Sequence, residues 1–266
     1  MKKYQNFINN KISKKSDFCI ATFVDRENIF LRLWLKHYSH LNLDFYFFID
    51  QKCNGNIVDF LKKNDNGKMN LIDVSSQPNS YAVINGDTNF FLDQIQEKFL
   101  SNYKKMIYVD IDELLICEDF MGALINENRD YFITTGFEIV HNYKIESDYN
   151  ESIKLCDQRK NGVFLAKGES CSPYNKVSIL SKKYKWESTG KHAGVSSEDN
   201  LFYLVHLSRF DLLSMIKNSQ DSNIFYKSFP FWQNFNNLED AKYYLEQWFI
   251  PNIVEIPSYI SKHIHI

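Results

Sequence analysis

The chain has 266 residues, 44% of them hydrophobic and 16% aromatic, which is enough to bury the core of one α/β domain with or without a C-terminal extension. Its formal net charge is −2, and the sequence holds no concentrated basic patch, so composition argues against a protein that binds nucleic acid.

The sequence shows neither a signal peptide nor a segment that could span a bilayer. The first 15 residues lack a continuous apolar run, and no later stretch approaches the roughly 20 apolar residues of a spanning helix. The basic segment at residues 1–16 contains several lysines and no acid, which suits either a solvated, frayed terminus or weak attraction to an anionic membrane surface. We therefore expect a cytoplasmic protein whose membrane contact is at most peripheral, at the inner face of the plasma membrane.

In the first half of the chain, predicted strands alternate with predicted helices. Apolar runs rich in β-forming residues predict strands at residues 17–24, 44–49, 69–74 and 106–109. Helical spacing and capping signals predict helices at residues 29–40, 57–63 and 89–102. This alternation predicts an α/β fold with a Rossmann-like, mostly parallel central sheet flanked by helices, in which ligands sit at the carboxyl ends of the strands.

The second half of the chain has a less regular pattern. Further strands are predicted at residues 131–140, 176–180 and 201–205. The polar region at residues 142–172 is predicted to form loops or a hairpin over the ligand site.

Two helices are predicted towards the C-terminal end. Ser208 follows the strand that ends at His206 and is predicted to cap a helix running to about residue 218, with Asp211 in the capping-box position. A last helix is predicted at residues 238–249. We therefore divide the chain into a catalytic domain at residues 17–218 and a small helical C-terminal appendage at residues 219–266, packed on it.

The strongest local signal is a pair of aspartates at the end of the fourth predicted strand. Asp110 and Asp112 are two residues apart, so in an extended segment their side chains point the same way. Two carboxylates so placed can hold one hard cation, Mg²⁺ or Mn²⁺, directly or through water. Such a cation would stabilise the charge that builds on a departing nucleoside diphosphate. The alternative is a solvated acidic turn at a strand end.

Acidic residues also follow two other strands of the predicted sheet. Asp50 ends the second strand and is expected to face the same crevice, where it could accept hydrogen bonds from a base or ribose; the alternative is a turn-forming residue. Glu27 follows the first strand, and its alternative role is that of a first-turn acid favoured by the helix dipole. Three strand ends that carry acids around one crevice favour a ligand site.

His206 is the candidate third metal ligand or phosphate donor. It is predicted to lie at a strand end just before a helix N-terminus, a place suited to phosphate. Arg209, in the first turn of that helix, would add positive charge. His192, which lies in a glycine-flanked loop, competes for the same role, and a structural histidine is the alternative for either.

The order of these features resembles the family 2 glycosyltransferases, in particular the branch related to family 92. The resemblance spans roughly residues 17 to 217 and departs from the family pattern at Asp25-Arg26, where Lys-Asn is usual, and at Leu114, where Phe is usual. The matching segments are Val24-Asp25-Arg26-Glu27, Trp34-Leu35-Lys36-His37-Tyr38, Phe48-Ile49-Asp50, Tyr108-Val109-Asp110-Ile111-Asp112-Glu113-Leu114, Asn175-Lys176-Val177-Ser178-Ile179 and Leu204-Val205-His206-Leu207-Ser208-Arg209.

The resemblance implies a GT-A fold, a nucleotide-sugar donor and a Mn²⁺ or Mg²⁺ cofactor. Among such donors, a UDP-sugar is the leading candidate. It also implies a glycan or lipid-linked acceptor, as in bacterial surface polysaccharide synthesis. The metal ligands would be Asp110, Asp112 and His206. The donor would be bound by Glu27, Asp50, Asp110, Lys176 and Arg209.

An inverting mechanism, which is frequent in the family, needs a carboxylate that deprotonates the acceptor hydroxyl. We assign this base to Glu138, because its strand follows the metal motif closely in the sequence. The other carboxylates considered are Glu169, Glu187, Glu198 and Asp199.

Three other functions compete with this interpretation. Residues 107–112 also resemble the nucleophile strand of haloacid-dehalogenase-type phosphatases, but Glu113-Leu114 replaces the usual Gly-Thr or Gly-Val. A nucleotidyltransferase would show a Gly-rich, Arg-Lys phosphate loop after the first strand, which this sequence lacks. The third alternative is a sugar-nucleotide-binding subunit without catalytic activity.

Overall fold

The computed structural model describes residues 11–24, 26–49, 56–74, 88–164, 175–186, 201–221, 235 and 237–266. The strands are β1 Phe18–Val24, β2 Asp44–Ile49, β3 Met69–Asp73, β4 Lys105–Tyr108, β5 Glu113–Ile116, β6 Tyr131–Ile133, β7 Thr135–Val140, β8 Asn161–Phe164, β9 Val177–Leu180, β10 Tyr203–Arg209 and β11 Val254–Glu255. The helices are α1 Ile29–Tyr38, α2 Ile57–Lys63, α3 Thr88–Leu100, α4 Phe120–Asn126, α5 Leu155–Gln158, α6 Leu212–Asp221, α7 Leu238–Trp248 and α8 Ser258–Ser261. None of these helices has the length and apolarity needed to cross a membrane.

The central sheet has the strand order β3-β2-β1-β4-β9-β6. The first four strands are parallel, and β9 is antiparallel to both of its neighbours. These four are the strands predicted in the first half of the chain. The strand order reverses at β1, since β2 and β3 lie on one side of it and β4 on the other. The fold is therefore the predicted α/β class, with a mostly parallel central sheet flanked by helices.

Both faces of the central sheet are covered, which explains why its strands are continuous apolar runs. All six residues of β2 are buried. Phe45, Phe47 and Ile49 join the main core, which also contains residues of α1 and α2. Tyr46 and Phe48 face the other way and pack against α3.

A second, five-stranded sheet was not predicted as a sheet, although its strands β7 and β10 overlap the strands predicted at residues 131–140 and 201–205. Its order is β11-β8-β7-β10-β5, in which only β7 and β10 are parallel neighbours. One face contributes Phe137, Val205 and Leu207 to the main core, and the other face packs against α6 and α7. This sheet places β10 between β5 and β7, so residues of these three strands lie side by side at the site described below.

The single strand predicted at residues 131–140 is wrong, because this stretch forms two strands in different sheets. Thr134 separates them, and both its N–H and its hydroxyl donate to the Lys176 carbonyl, at 2.9 and 3.0 Å. These bonds hold β6 in the central sheet beside β9. The N–H of Thr135 donates instead to the Phe202 carbonyl at 3.2 Å, where β7 begins in the second sheet.

The predicted boundary after His206 is also wrong. β10 continues to Arg209, so His206 lies inside a strand, and Ser208 and Arg209 are strand residues. The following helix begins at Leu212 and is capped by Asp211, whose Oδ2 accepts from the Ser214 N–H at 3.0 Å. Residues 206–209 continue the strand instead of capping a helix, because β10 pairs with β5 on one side and β7 on the other.

The C-terminal segment packs on the rest of the chain in two ways. α7 is capped by Asn237, as predicted, and packs against α6. β11 extends the second sheet beside β8, and four isoleucines that follow it are buried in the main core: Ile256, Ile260, Ile264 and Ile266. The domain boundary at residue 218 stays a prediction.

Candidate active site

The aspartate pair lies where the strand order of the central sheet reverses. β4 ends at Tyr108 beside β1, and the chain then turns through residues 110–112 (the aspartate turn) into β5. In doubly wound sheets, ligands bind outside the carboxyl ends of the strands at such a reversal, where the connections diverge and leave a crevice. The fold therefore brings both carboxylates to its favoured ligand-binding position.

The sequence predicts that residues 110–112 are extended, but in the structure they form a turn. The Glu113 N–H donates to the Asp110 carbonyl at 3.1 Å, which closes a tight turn. The two carboxylates consequently have different partners, Lys176 for Asp110 and His206 for Asp112. They remain accessible, since 38% of the Asp110 side chain and 26% of the Asp112 side chain are exposed.

A buried ion pair supports Asp110. Lys176 Nζ lies 3.1 Å from Asp110 Oδ2 and also contacts Glu113 Oε1, while Glu113 Oε2 accepts from the Asp110 N–H at 2.8 Å. Glu113 is fully buried and Lys176 nearly so. Burial acts to lower the pKa of the Lys176 ammonium, but the Glu113 and Asp110 carboxylates outweigh it and raise this pKa well above its usual value. Lys176 is therefore a permanent cation behind Asp110.

His206 connects Asp112 to a second buried carboxylate. Its Nε2 lies 3.3 Å from Asp112 Oδ2, and its Nδ1 lies 2.5 Å from Glu138 Oε2. The strand register causes this arrangement, because His206 of β10 lies opposite Glu138 of β7 on one side and Glu113 of β5 on the other.

The two carboxylates keep the His206 ring charged. Burial acts to lower the pKa of His206, but Glu138 and Asp112 together outweigh it and raise this pKa to about 10. Burial likewise acts to raise the pKa of Asp112, but the charge and hydrogen bond of His206 lower it overall. At neutral pH, the ring is an imidazolium with one N–H directed at each carboxylate.

The assignment of Glu138 as the catalytic base does not agree with this geometry. Glu138 is fully buried, and both of its oxygens are hydrogen-bonded. Oε1 accepts from the Arg209 N–H at 2.9 Å and the Ser208 hydroxyl at 3.2 Å, and Oε2 accepts from His206. A base must come within hydrogen-bond reach of the acceptor hydroxyl. Glu138 has no surface for that contact, and it holds His206 instead.

The remaining predicted residues have other partners or lie outside the described residues. Glu27 pairs with Arg32 at 3.3 Å, in an exposed position. The guanidinium of Arg209 lies 5.1 Å from the ring centroid of Tyr244 and donates to its hydroxyl at 3.2 Å. The residues outside the described ranges are Asp50, Glu169, Glu187, His192, Glu198 and Asp199.

The aspartate turn suits a hard cation through its carboxylates. Among the described residues, no three His, Cys, Asp or Glu side chains are arranged to hold a metal ion together. Asp110 and Asp112 still present partly exposed oxygens, and Mg²⁺ commonly binds through one or two carboxylates together with water and substrate phosphates. His206 would have to lose its Nε2 proton before it could bind a metal. The carboxylate pair fits such a cation, and His206 in its charged form does not.

Sequence reasoning missed Glu113 as a site residue. Glu113 begins β5 and is the only acid in that otherwise apolar strand. An acid at the start of the apolar run Glu-Leu-Leu-Ile indicates a buried carboxylate, and such a carboxylate needs a cation or several hydrogen-bond donors nearby. This signal could have identified Glu113 as a site residue.

Comparisons with known proteins do not assign this chain to a family. No family model matches it, and no curated protein matches it. A protein described as a glucose-1-phosphate thymidylyltransferase from Bacillus anthracis, in complex with sucrose, is 12% identical with a TM-score of 0.32, covering 87% of this chain and 84% of that chain. HddC from Yersinia pseudotuberculosis is 13% identical with a TM-score of 0.32, covering 92% of this chain and 97% of that chain. Likenesses of this size carry no conclusion about what this chain does.

Proposed function

We propose that this protein is a metal-dependent glycosyltransferase that moves a sugar from a nucleotide-sugar donor to a hydroxyl acceptor. The observation that supports this most is the position of the aspartate turn. Two partly exposed carboxylates stand at the reversal point of a doubly wound sheet, where such folds bind their ligands. The ordered motifs around them resemble those of family 2 glycosyltransferases.

Each residue of the site has a role in this proposal. Asp110 and Asp112 would hold Mn²⁺ or Mg²⁺, which as a Lewis acid stabilises a diphosphate leaving group. Lys176 and Glu113 keep Asp110 in place. His206 carries a positive charge at the same edge of the sheet, and its Nε2–H can donate to a phosphate oxygen as it does to Asp112. Glu138 keeps that ring charged and oriented.

The finer features of the proposal come from the motif resemblance. We propose a UDP-sugar as donor, a glycan or lipid-linked acceptor, and inversion at the anomeric carbon. Glu27, Asp50 and Arg209 stay proposed contacts to the donor. The base that activates the acceptor is then a carboxylate other than Glu138.

A panel of nucleotide-sugars with Mn²⁺ tests the proposal, read by thermal shift and by release of nucleoside diphosphate. We expect one donor to stabilise the protein and to release its nucleoside diphosphate. Asp59→Asn, an exposed aspartate of α2, is the matched control for Asp110→Asn and Asp112→Asn. Release of inorganic phosphate instead would indicate a phosphatase, and binding without turnover would indicate a non-catalytic subunit. Either outcome contradicts the proposal.

A further inference from the structure

We propose that the last turn of α1, together with residues 263–266, positions the aspartate turn by holding the outer edge of β5. The structural part of this inference is independent of the reaction that the protein catalyses. Its consequence for cation and donor binding rests on the function proposed above.

The position of β5 sets the position of the aspartate turn. β5 begins at Glu113, directly after Asp112, and Glu113 also fixes the backbone N–H of Asp110. β5 is the last strand of the second sheet as described, and it pairs with β10 along one edge. In an antiparallel pair, alternate residues direct their backbone groups away from the partner strand. Buried groups so directed need other partners.

Two side chains of α1 supply those partners. The Tyr38 hydroxyl accepts from the Leu115 N–H at 2.6 Å and reaches the Glu113 carbonyl at 3.4 Å. His37 Nε2 donates to the Leu115 carbonyl at 2.9 Å. Tyr38 and Leu115 have no exposed surface, and His37 is 2% exposed. Both backbone groups of Leu115 are thus satisfied by aromatic side chains where another sheet would have a further strand.

Residues 263–266 determine which nitrogen of His37 donates. The His265 N–H donates to His37 Nδ1 at 3.4 Å, so Nδ1 is unprotonated and the ring proton is on Nε2, facing Leu115. The two rings also stack, with centroids 5.9 Å apart. The segment is anchored by the Ile266 carbonyl, which accepts from the Leu155 N–H at 3.1 Å. A chain of contacts thus runs from His265 through His37 and β5 to the aspartate turn.

Amide hydrogen exchange tests the structural claim without any assumption about activity. A peptide covering residues 109–116 reports on the turn and β5, and a peptide covering residues 44–49 of β2 is the internal control. We expect Tyr38→Phe, which removes one oxygen at constant volume, to accelerate exchange in residues 109–116 by about three- to tenfold and to leave residues 44–49 unchanged. His37→Leu should act alike. His37→Gln keeps a donor and an acceptor, so it should stay near the wild type.

A second pair of variants tests the contribution of the C-terminal residues. Ile266→Ala truncates a side chain that is buried in the main core, so it should loosen residues 263–266 and accelerate exchange in residues 109–116 by a smaller factor. His40→Gln, which removes a ring that contacts those of His37 and His265, should have no effect there. Equal acceleration in both peptides, or none in residues 109–116 of Tyr38→Phe, overturns the inference, because the contacts would then serve only global stability.

The consequence for function is read from the Mn²⁺ concentration that half-saturates nucleoside diphosphate release. We expect Tyr38→Phe to raise this concentration several-fold, and by a larger factor than it lowers kcat. His37→Leu should raise the concentration in the same way, whereas His37→Gln should keep it near the wild-type value. An unchanged value in an active Tyr38→Phe enzyme whose turn exchanges faster overturns the positioning role. A wild-type protein with no release contradicts the proposed function, and the exchange experiment then still decides the structural claim.

Discussion

The buried carboxylate of Glu113 fixes the backbone of Asp110: its Oε2 accepts the Asp110 N–H at 2.8 Å, while its Oε1 pairs with Lys176. One side chain therefore connects the first residue of β5 to the first aspartate of the turn. Removal of one partner from a buried ion pair leaves the other charge uncompensated, and this is far more costly than loss of a surface pair.

Glu113→Gln should lower the free energy of unfolding by about 3 kcal/mol, because Lys176 would remain buried and, of the two carboxylates it contacts among the described residues, would keep Asp110 alone. Urea unfolding measures the difference. Glu118→Gln, an exposed acid just beyond the same strand, is the control and should stay within about 0.5 kcal/mol of the wild type. Equal stabilities of the two variants would show that Glu113 is not part of a significant ion pair.

Acid should destabilise the protein through His37. Burial is the main cause that lowers the pKa of His37 from 6.5 to about 4, and His265 and His40 act in the same direction. The unfolded chain therefore binds the proton more readily. The stability is fully present above pH 6.5 and is lost as the pH falls towards 4, by about 3 kcal/mol when the loss is complete.

The measurement for His37 is urea unfolding at pH 7 and pH 5. His37→Gln has no titrating ring at this position. Between these two pH values, the wild type should lose about 2 kcal/mol more than the variant. A loss of the same size in both proteins would place the acid sensitivity elsewhere in the chain.

Glu138→Gln should lower the pKa of His206 from about 10 towards its usual value, because Glu138 contributes the largest of the attractive charges on the ring. Titration of the His206 ring by NMR in the metal-free protein measures this shift. Glu151→Gln, an exposed acid paired with Arg32, is the control and should leave the midpoint unchanged. A midpoint near 10 in Glu138→Gln would mean that Asp112 alone holds the proton.

The parallel half of the fold could be predicted because its signals are local. β2 is apolar at every position but its first, and α1 carries a helical spacing of apolar residues, so each element was found within one or two residues of its ends. The second sheet gave such a signal only in β7 and β10, which overlap predicted strands. β5 and β8 have four residues each and β11 has two, and their pairing joins segments far apart in the sequence, which local patterns do not encode.

Within the site, the sequence identified residue types better than their roles. Lys176 and His206 were both expected near the aspartates, and the structure brings each beside one of them. Glu138 was chosen as a base because it follows the motif closely in the chain. The register of β7 against β10 places it beneath His206 instead, and its complete burial, which the sequence does not show, excludes contact with an acceptor.

The measurement that tests the central claim most directly is nucleoside diphosphate release from a nucleotide-sugar donor at increasing Mn²⁺, for the wild type and for Asp112→Asn. Circular dichroism should first establish that both proteins are folded. The account predicts release that depends on Mn²⁺ and is abolished by EDTA in the wild type, and a loss of about 10³-fold or more in Asp112→Asn. Full activity in Asp112→Asn, or release that does not respond to EDTA, would contradict it.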